Sequence, residues 1–74
     1  MEYYEVLKNL RVDRDLTQAD IASVLGVAQR TYADYESGNI RVSVETMISL
    51  AKFYNVDMNY ICGVSSNVSP FPNK

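Results

Sequence analysis

The chain has 74 residues, 47% of them hydrophobic, with 7 basic and 9 acidic side chains and a formal net charge of −2. This length accommodates one domain, and this apolar content is too high for a disordered chain. With no His and a single Cys, the sequence excludes a zinc site, a Cys–His nucleophile and an internal disulfide, and no apolar run is long enough to span a membrane. The acidic amino terminus lacks the pattern of an export signal, so we expect a cytoplasmic protein.

Hydrophobic periodicity predicts five helices along the chain and no strand. In the first helix, Tyr3, Leu7 and Leu10 recur at helical spacing, and the fourth carries a broad apolar stripe. The predicted helices span residues 3–13, 18–25, 28–37, 44–54 and 58–62. We assign residues 1–63 to one domain and residues 64–74, which are rich in Ser, Asn and Pro, to a C-terminal tail.

Residues typical of helix ends mark the limits of these elements. Thr17, followed three residues later by Asp20, indicates a capping box at the start of the second helix. Ser43 and Asp57 are suitable N-cap residues for the fourth and fifth helices. Asn55 tolerates the left-handed conformation that ends many helices, so it is a suitable stop for the fourth.

The second and third predicted helices are joined by a tight turn at Gly26. Glycine adopts a positive φ without steric cost and therefore ends the first helix of the pair. Ile21 and Leu25 are four residues apart, and Tyr32 and Tyr35 are three apart, so each pair lies on one face of its helix. Two short helices that cross over such a turn form a helix-turn-helix pattern.

An ordered series of short motifs extends over most of the chain. It consists of Leu10-Arg11, Leu16-Thr17-Gln18, Ile21-Ala22, Leu25-Gly26-Val27, Tyr35-Glu36-Ser37-Gly38, Ser43, Leu50-Ala51 and residues 56–63. Over residues 5–63 this series resembles the phage Cro/repressor type of helix-turn-helix domain, a large bacterial family also named after the xenobiotic-response-element regulators. The resemblance implies a compact all-α, five-helix, lambda-repressor-like domain that binds operator DNA with its third helix in the major groove.

Three positions differ from the family pattern. Ala28 stands where a Ser commonly caps the third helix, and Val42 replaces a proline that is common before the fourth. Asp34 lies on the proposed DNA face at a position that often carries a basic or amide side chain. The difference at Asp34 bears on the affinity for DNA and on sequence preference more than on the fold.

The outward face of the third helix supplies the candidate base-reading residues. Gln29 and Arg30 lie in its first turn, the part of a recognition helix that reaches base edges. Glutamine pairs with adenine and arginine with guanine in the major groove, and Ala33 suits a thymine methyl group. Asp34 either accepts a hydrogen bond from a cytosine amino group or repels phosphate. The alternative is an ordinary solvated helix face.

The backbone-contacting residues follow from the resemblance and from the position of helix ends. Gln18 begins the second helix, where the family contacts the sugar-phosphate backbone and where a helix amino terminus favours phosphate. The predicted backbone contacts are Gln18, Ser37, Asn39, Arg41 and Arg14. The family places a partly buried ion pair at Arg11 and Glu36, so we expect these two residues to have a structural role.

We therefore predict a sequence-specific regulator of transcription, a repressor, that binds double-stranded DNA. The alternative is a protein-binding module, such as an antitoxin or adaptor, with the same fold. Because basic residues are sparse, we expect a homodimer that binds two half-sites, with Met58, Tyr60, Ile61 and the tail as its surface. We expect no enzymatic activity, cofactor, metal or small-molecule ligand, and we expect Cys62 to be a small buried residue.

Overall fold

The computed structural model describes residues 2–62, most of which lie in α-helices. The five helices are α1 (Tyr3–Asp13), α2 (Gln18–Leu25), α3 (Gln29–Ser37), α4 (Val44–Tyr54) and α5 (Met58–Ile61). This confirms the predicted all-α, five-helix fold. The predicted tail, residues 64–74, lies outside the described residues. Within the described range, the longest helices have 11 residues, and none is long and apolar enough to cross a membrane.

Side-chain caps fix the amino ends of α2, α4 and α5. The Thr17 hydroxyl accepts from the Asp20 amide at 3.1 Å, and the Asp20 carboxylate accepts from the Thr17 amide at 2.8 Å, which confirms the capping box. The hydrogen bonds from Thr17 hold the pKa of Asp20 below its usual value. The side chains of Ser43 and Asp57 accept hydrogen bonds from backbone amides in the first turns of α4 and α5, so these residues are N-caps, as predicted.

The amino end of α3 differs from the others. Ala28 is its N-cap residue, with extended backbone angles and no side-chain hydrogen bond to the first turn. The helix therefore begins at Gln29, one residue later than predicted. An alanine at this position costs about 1 kcal/mol of helix stability relative to serine.

Left-handed residues end α2, α3 and α4. Gly26 has φ 71°, Gly38 has φ 79° and Asn55 has φ 55°. Each residue therefore ends its helix in the left-handed conformation, at the position that the sequence predicts. The two glycines differ in their surroundings. A Cβ added to Gly26 would meet open space, whereas one added to Gly38 would lie 3.1 Å from the ring of Tyr4.

The hydrophobic core forms where α1 packs on α3 and α5, and where α2 and α4 close the remaining sides. Its largest fully buried side chains are Tyr32, Leu7, Ile21, Leu50, Ile61 and Val56. The complete burial of Ile61 corrects its predicted place on a dimer surface, because α5 turns this side chain inward against α1 and α4. Cys62, expected to be buried, is exposed because it lies past the last turn of α5.

A hydrogen bond joins the start of α1 to the loop before α4. The hydroxyl of the half-buried Tyr3 accepts from the Val42 amide at 3.4 Å. A proline at this position, which is common in the family that the sequence resembles, has no amide hydrogen to donate. The Val42 amide therefore forms a hydrogen bond between two distant parts of the chain that a proline could not form.

Gly38→Ala should lower the free energy of unfolding more than Gly26→Ala. Both substitutions force an L-residue into the left-handed region, at a cost of about 1–2 kcal/mol. Only at position 38 must Tyr4 also move to admit the new Cβ. Urea denaturation of the two variants measures the difference, and a Tyr4→Leu background should reduce it. Equal losses in the two variants would contradict the role given to the Tyr4 ring.

Candidate nucleic-acid interface

Helices α2 and α3 pack against each other across the turn of residues 26–28. The Val27 amide donates to the Ala22 carbonyl oxygen at 3.0 Å, which draws the turn back onto α2. On α3, Tyr32 is fully buried, and its ring meets that of the half-buried Tyr35 edge to face at 6.2 Å. The inner side of α3 is therefore anchored in the core, which leaves its other side for contact with a partner.

The predicted base-reading residues form one strip along α3. Gln29 and Arg30 are exposed in the first turn, and neither makes a hydrogen bond or ion pair with another described residue. Ala33 and Asp34 lie one turn further along the same strip and are half-buried. The two exposed side chains, Gln29 and Arg30, thus lie at the amino end of α3. In a recognition helix this is the end that enters the major groove most deeply.

The last residue of α3 and the loop after it hold three of the predicted backbone contacts. The carbonyl oxygen of Asp34 accepts from the Ser37 hydroxyl at 3.1 Å and from the Asn39 amide at 3.0 Å, so this loop is tied to the last turn of α3. Ser37, Asn39 and Arg41 are all exposed. Within residues 2–62, Arg41 makes no ion pair, so its charge is available to a ligand.

A recess of about 180 Å³ lies at the junction of α1, α2 and α3. It is lined by Lys8, Gln18, Ala33, Glu36 and Ser37. It brings Gln18 and Ser37 together from two helices, and it adds Lys8 of α1, which was not among the predicted backbone contacts. The signal for Lys8 was present in the sequence: it precedes Arg11 by three residues and so lies on the same face of α1.

An ion pair lies at the inner end of this recess. The Arg11 guanidinium donates from Nε to Glu36 Oε2 at 2.7 Å and from Nη2 to Glu36 Oε1 at 3.1 Å. Its Nη1 donates to the Leu16 carbonyl oxygen at 2.8 Å. The two side chains are only 13% and 4% exposed. This arrangement joins α1 to α3 and to the entry of α2, the structural role implied by the family resemblance.

The surroundings of Glu36 keep its carboxylate ionised. Burial alone would raise its pKa, but the hydrogen bonds from Arg11 and from the Gln18 amide, together with the charge of Arg11, hold the pKa below its usual value. Gln18 donates from Nε2 to Glu36 Oε1 at 3.3 Å. The Tyr32 hydroxyl is buried close to the carboxylate but outside hydrogen-bonding geometry. Glu36 is therefore a buried anion with its charge matched by Arg11.

The described contacts of Arg14 are with α1 and α4 and with none of the other predicted site residues. Its guanidinium donates to the Tyr54 carbonyl oxygen at 3.0 Å and to the Leu10 carbonyl oxygen at 3.4 Å, and it lies 5.0 Å from the centre of the Tyr54 ring. A cation at these two helix carboxyl ends is favourable, and stacking on the ring adds to it. Arg14 thus links α1 to α4.

Comparison with known proteins gives matches centred on this part of the fold. A family model described as helix-turn-helix matches residues 7–61, which include α2, α3 and the turn between them. A solved structure of a transcriptional regulator from Listeria innocua is similar over 92% of this chain and 64% of that chain, with a TM-score of 0.82 and 29% identity.

Two curated relatives are similar in sequence. The chain is 46% identical over 50 residues to the cryptic phage CTXphi transcriptional repressor RstR of Vibrio cholerae, covering 68% of this chain and 45% of RstR. It is 31% identical over 64 residues to the antitoxin PezA of Streptococcus pneumoniae, covering 86% of this chain and 40% of PezA. The chain therefore spans less than half the length of either relative.

Glu36→Gln should destabilise the protein by about 3 kcal/mol at neutral pH, because it leaves the Arg11 charge without its partner. The folded pKa of Glu36 lies below its unfolded value of about 4.3. Its carboxylate therefore stabilises the fold above that pH, and this stabilisation is lost as the pH falls through the lowered folded pKa. Urea denaturation from about pH 3 to pH 7 should give a flatter acid limb for the variant than for the wild type.

Glu45→Gln, which removes an exposed glutamate from the first turn of α4, is the matched control and should cost much less at neutral pH. If the unfolding free energy of Glu36→Gln followed that of the wild type at every pH, the stabilising role of the buried carboxylate would be refuted.

Proposed function

The chain belongs to the helix-turn-helix family, and on that premise we propose that it is a sequence-specific regulator of transcription, a repressor, that binds double-stranded DNA through α2 and α3. The observation that carries the proposal is the division of α3 into two sides. Tyr32 and Glu36 fix one side in the core, while Gln29 and Arg30 extend freely from the first turn of the other. This is the geometry that a recognition helix needs to insert its amino end into a major groove.

We assign base reading to the strip along α3. Gln29 and Arg30 have the donor and acceptor groups that pair with adenine and guanine edges. Ala33 and Asp34 follow on the same strip. Their side chains are half-buried, so they extend less far toward the groove than those of Gln29 and Arg30. Arg30 is the one cation of α3, so it contributes most to affinity there, and Asp34 opposes non-specific binding by its charge.

We assign backbone contact to the two ends of the α2–α3 pair. Gln18 and Ser37 line one recess, and Asn39 and Arg41 follow in the exposed loop. Contacts of this kind position a protein on the duplex and do not read sequence directly. Arg14 is the exception among the predicted contacts, because its guanidinium is occupied by two helix carboxyl ends, and we assign it to the stabilisation of α1 and α4.

The same premise supports action in the cytoplasm, where bacterial DNA lies, and an absence of enzymatic activity. The second candidate, a protein-binding module, is favoured by the similarity to the antitoxin PezA. The two functions differ in one measurable property. A DNA-binding regulator has an affinity for duplex DNA that falls steeply with salt, because its cations displace counterions from phosphate.

We also propose that the protein acts as a homodimer. Few cations face the proposed interface, so two copies on adjacent half-sites would bind far better than one. A second, apolar recess of about 190 Å³ lies beside α4 and α5 and is lined by Tyr3, Val42, Val44, Met47, Met58 and Cys62. Val44 at its rim is 69% exposed. An apolar side chain of a second copy would fill this recess and cover Val44.

Arg30→Gln and Arg41→Gln should each weaken binding to a random-sequence DNA duplex and lower the slope of log affinity against log salt by about 1, because each removes one positive charge from the proposed interface. Fluorescence anisotropy over a salt series measures both effects. Lys52→Gln removes the same charge from the last turn of α4 and should leave the slope unchanged. Absence of wild-type binding at low salt would favour the protein-binding module.

Val44→Asp should shift the protein from dimer to monomer in sedimentation velocity at tens of micromolar, because it places a charge against the apolar recess. The change should not impair folding, since Val44 is exposed and an acidic residue suits the first turn of a helix. Val12→Asp alters a comparably exposed valine outside the recess and should leave the dimer intact. A wild-type protein that sediments only as monomer, with or without DNA, would contradict the homodimer.

A further inference from the structure

Gln18 is held by a residue of another helix. It is the first residue of α2 and is half-buried, and its Nε2 donates to Glu36 Oε1 of α3 at 3.3 Å. A glutamine amide nitrogen carries two hydrogens. One is used in this bond, and the second is left to donate at the mouth of the recess that Lys8 and Ser37 also line.

The acceptor is itself fixed. Glu36 Oε1 receives Arg11 Nη2 at 3.1 Å while Oε2 receives Arg11 Nε at 2.7 Å, so both carboxylate oxygens are held in one orientation by the planar guanidinium. The Glu36 side chain is 4% exposed and cannot reach a partner itself. Its hydrogen bond to Gln18 links the buried carboxylate to a side chain that lines the recess.

We propose that Glu36 is a positioning residue for DNA binding: without touching DNA, it orients the Gln18 amide so that its second hydrogen faces a backbone phosphate. This inference rests on the proposed function. A glutamine side chain free to rotate would lose about 0.5–1.5 kcal/mol of entropy when DNA immobilises it, and the bond to Glu36 removes part of that cost beforehand.

The negative charge of Glu36 does not oppose the phosphate, because Arg11 neutralises it at short range. Lys8, exposed on α1 across the recess, supplies the positive charge that attracts the phosphate. The two residues thus have separate roles. Lys8 provides positive charge, whereas Glu36 orients the neutral amide of Gln18.

A double-mutant cycle on random-sequence duplex DNA tests this separation. Arg11→Met with Glu36→Met replaces the ion pair by an apolar pair of similar volume, which avoids an unpaired buried charge and leaves the net charge unchanged. This double change should weaken DNA binding about fivefold in the wild-type background and not at all in a Gln18→Ala background. Lys8→Gln is the control, and it should weaken binding by the same factor with or without the apolar pair.

A spectroscopic measurement tests the orientation in the absence of DNA. The chain has two glutamines, and Gln29 is exposed without a partner among the described residues. In NMR relaxation of the wild type, the Gln18 side-chain amide should be more rigid than that of Gln29, and the apolar pair should make the two alike. This readout reports on Gln18 itself, so a loss of stability alone would not produce it.

The outcomes separate this inference from the proposed function. If the apolar pair weakens DNA binding equally with and without Gln18, or if the two glutamine amides are equally mobile in the wild type, Glu36 does not position Gln18 and the inference is overturned while DNA binding stands. If the folded wild type does not bind duplex DNA, the proposed function is overturned, and this inference with it.

Discussion

The ion pair between Arg11 and Glu36 is the constraint on which the arrangement of the first three helices depends. It joins α1 to α3, and a third hydrogen bond from Arg11 holds the carbonyl of Leu16 just before α2. A small core gives limited stability, so a buried pair in such a chain is costly to break at either end. Because the same carboxylate also accepts from Gln18, the interaction that fixes the fold also reaches the surface that we assign to DNA.

The positive charge of that surface is modest. In a chain of net charge −2, Lys8, Arg30 and Arg41 are cations without an ion-pair partner within residues 2–62, and Asp34 lies on the strip with Arg30. Long-range attraction is therefore weak, and affinity must come from well-placed short-range contacts. This explains why an oriented neutral donor such as Gln18 matters here, and why two copies of the domain would serve better than one.

The sequence predicts the helices closely because their ends are fixed by local chemistry. The Thr17–Asp20 capping box, Gly26 and Asn55 act within one turn, so each can be recognised without knowledge of the rest of the fold. The direction of a side chain on a short terminal helix depends instead on distant neighbours. The prediction for Ile61 is wrong for this reason, since its environment is set by how α5 packs on α1 and α4. The bond from Gln18 to Glu36 joins residues 18 positions apart and leaves no periodic signal.

The uncapped amino end of α3 has a consequence for the side chains that we propose read DNA. Ala28 gives the first turn of α3 no side-chain acceptor, whereas Thr17 closes the corresponding turn of α2 with two hydrogen bonds. The opening free energy of that turn is lowered by about 1 kcal/mol relative to a capped helix. The turn that carries Gln29 and Arg30 therefore opens more readily than a capped first turn would, while Tyr32 and Glu36 hold the rest of α3 in the core.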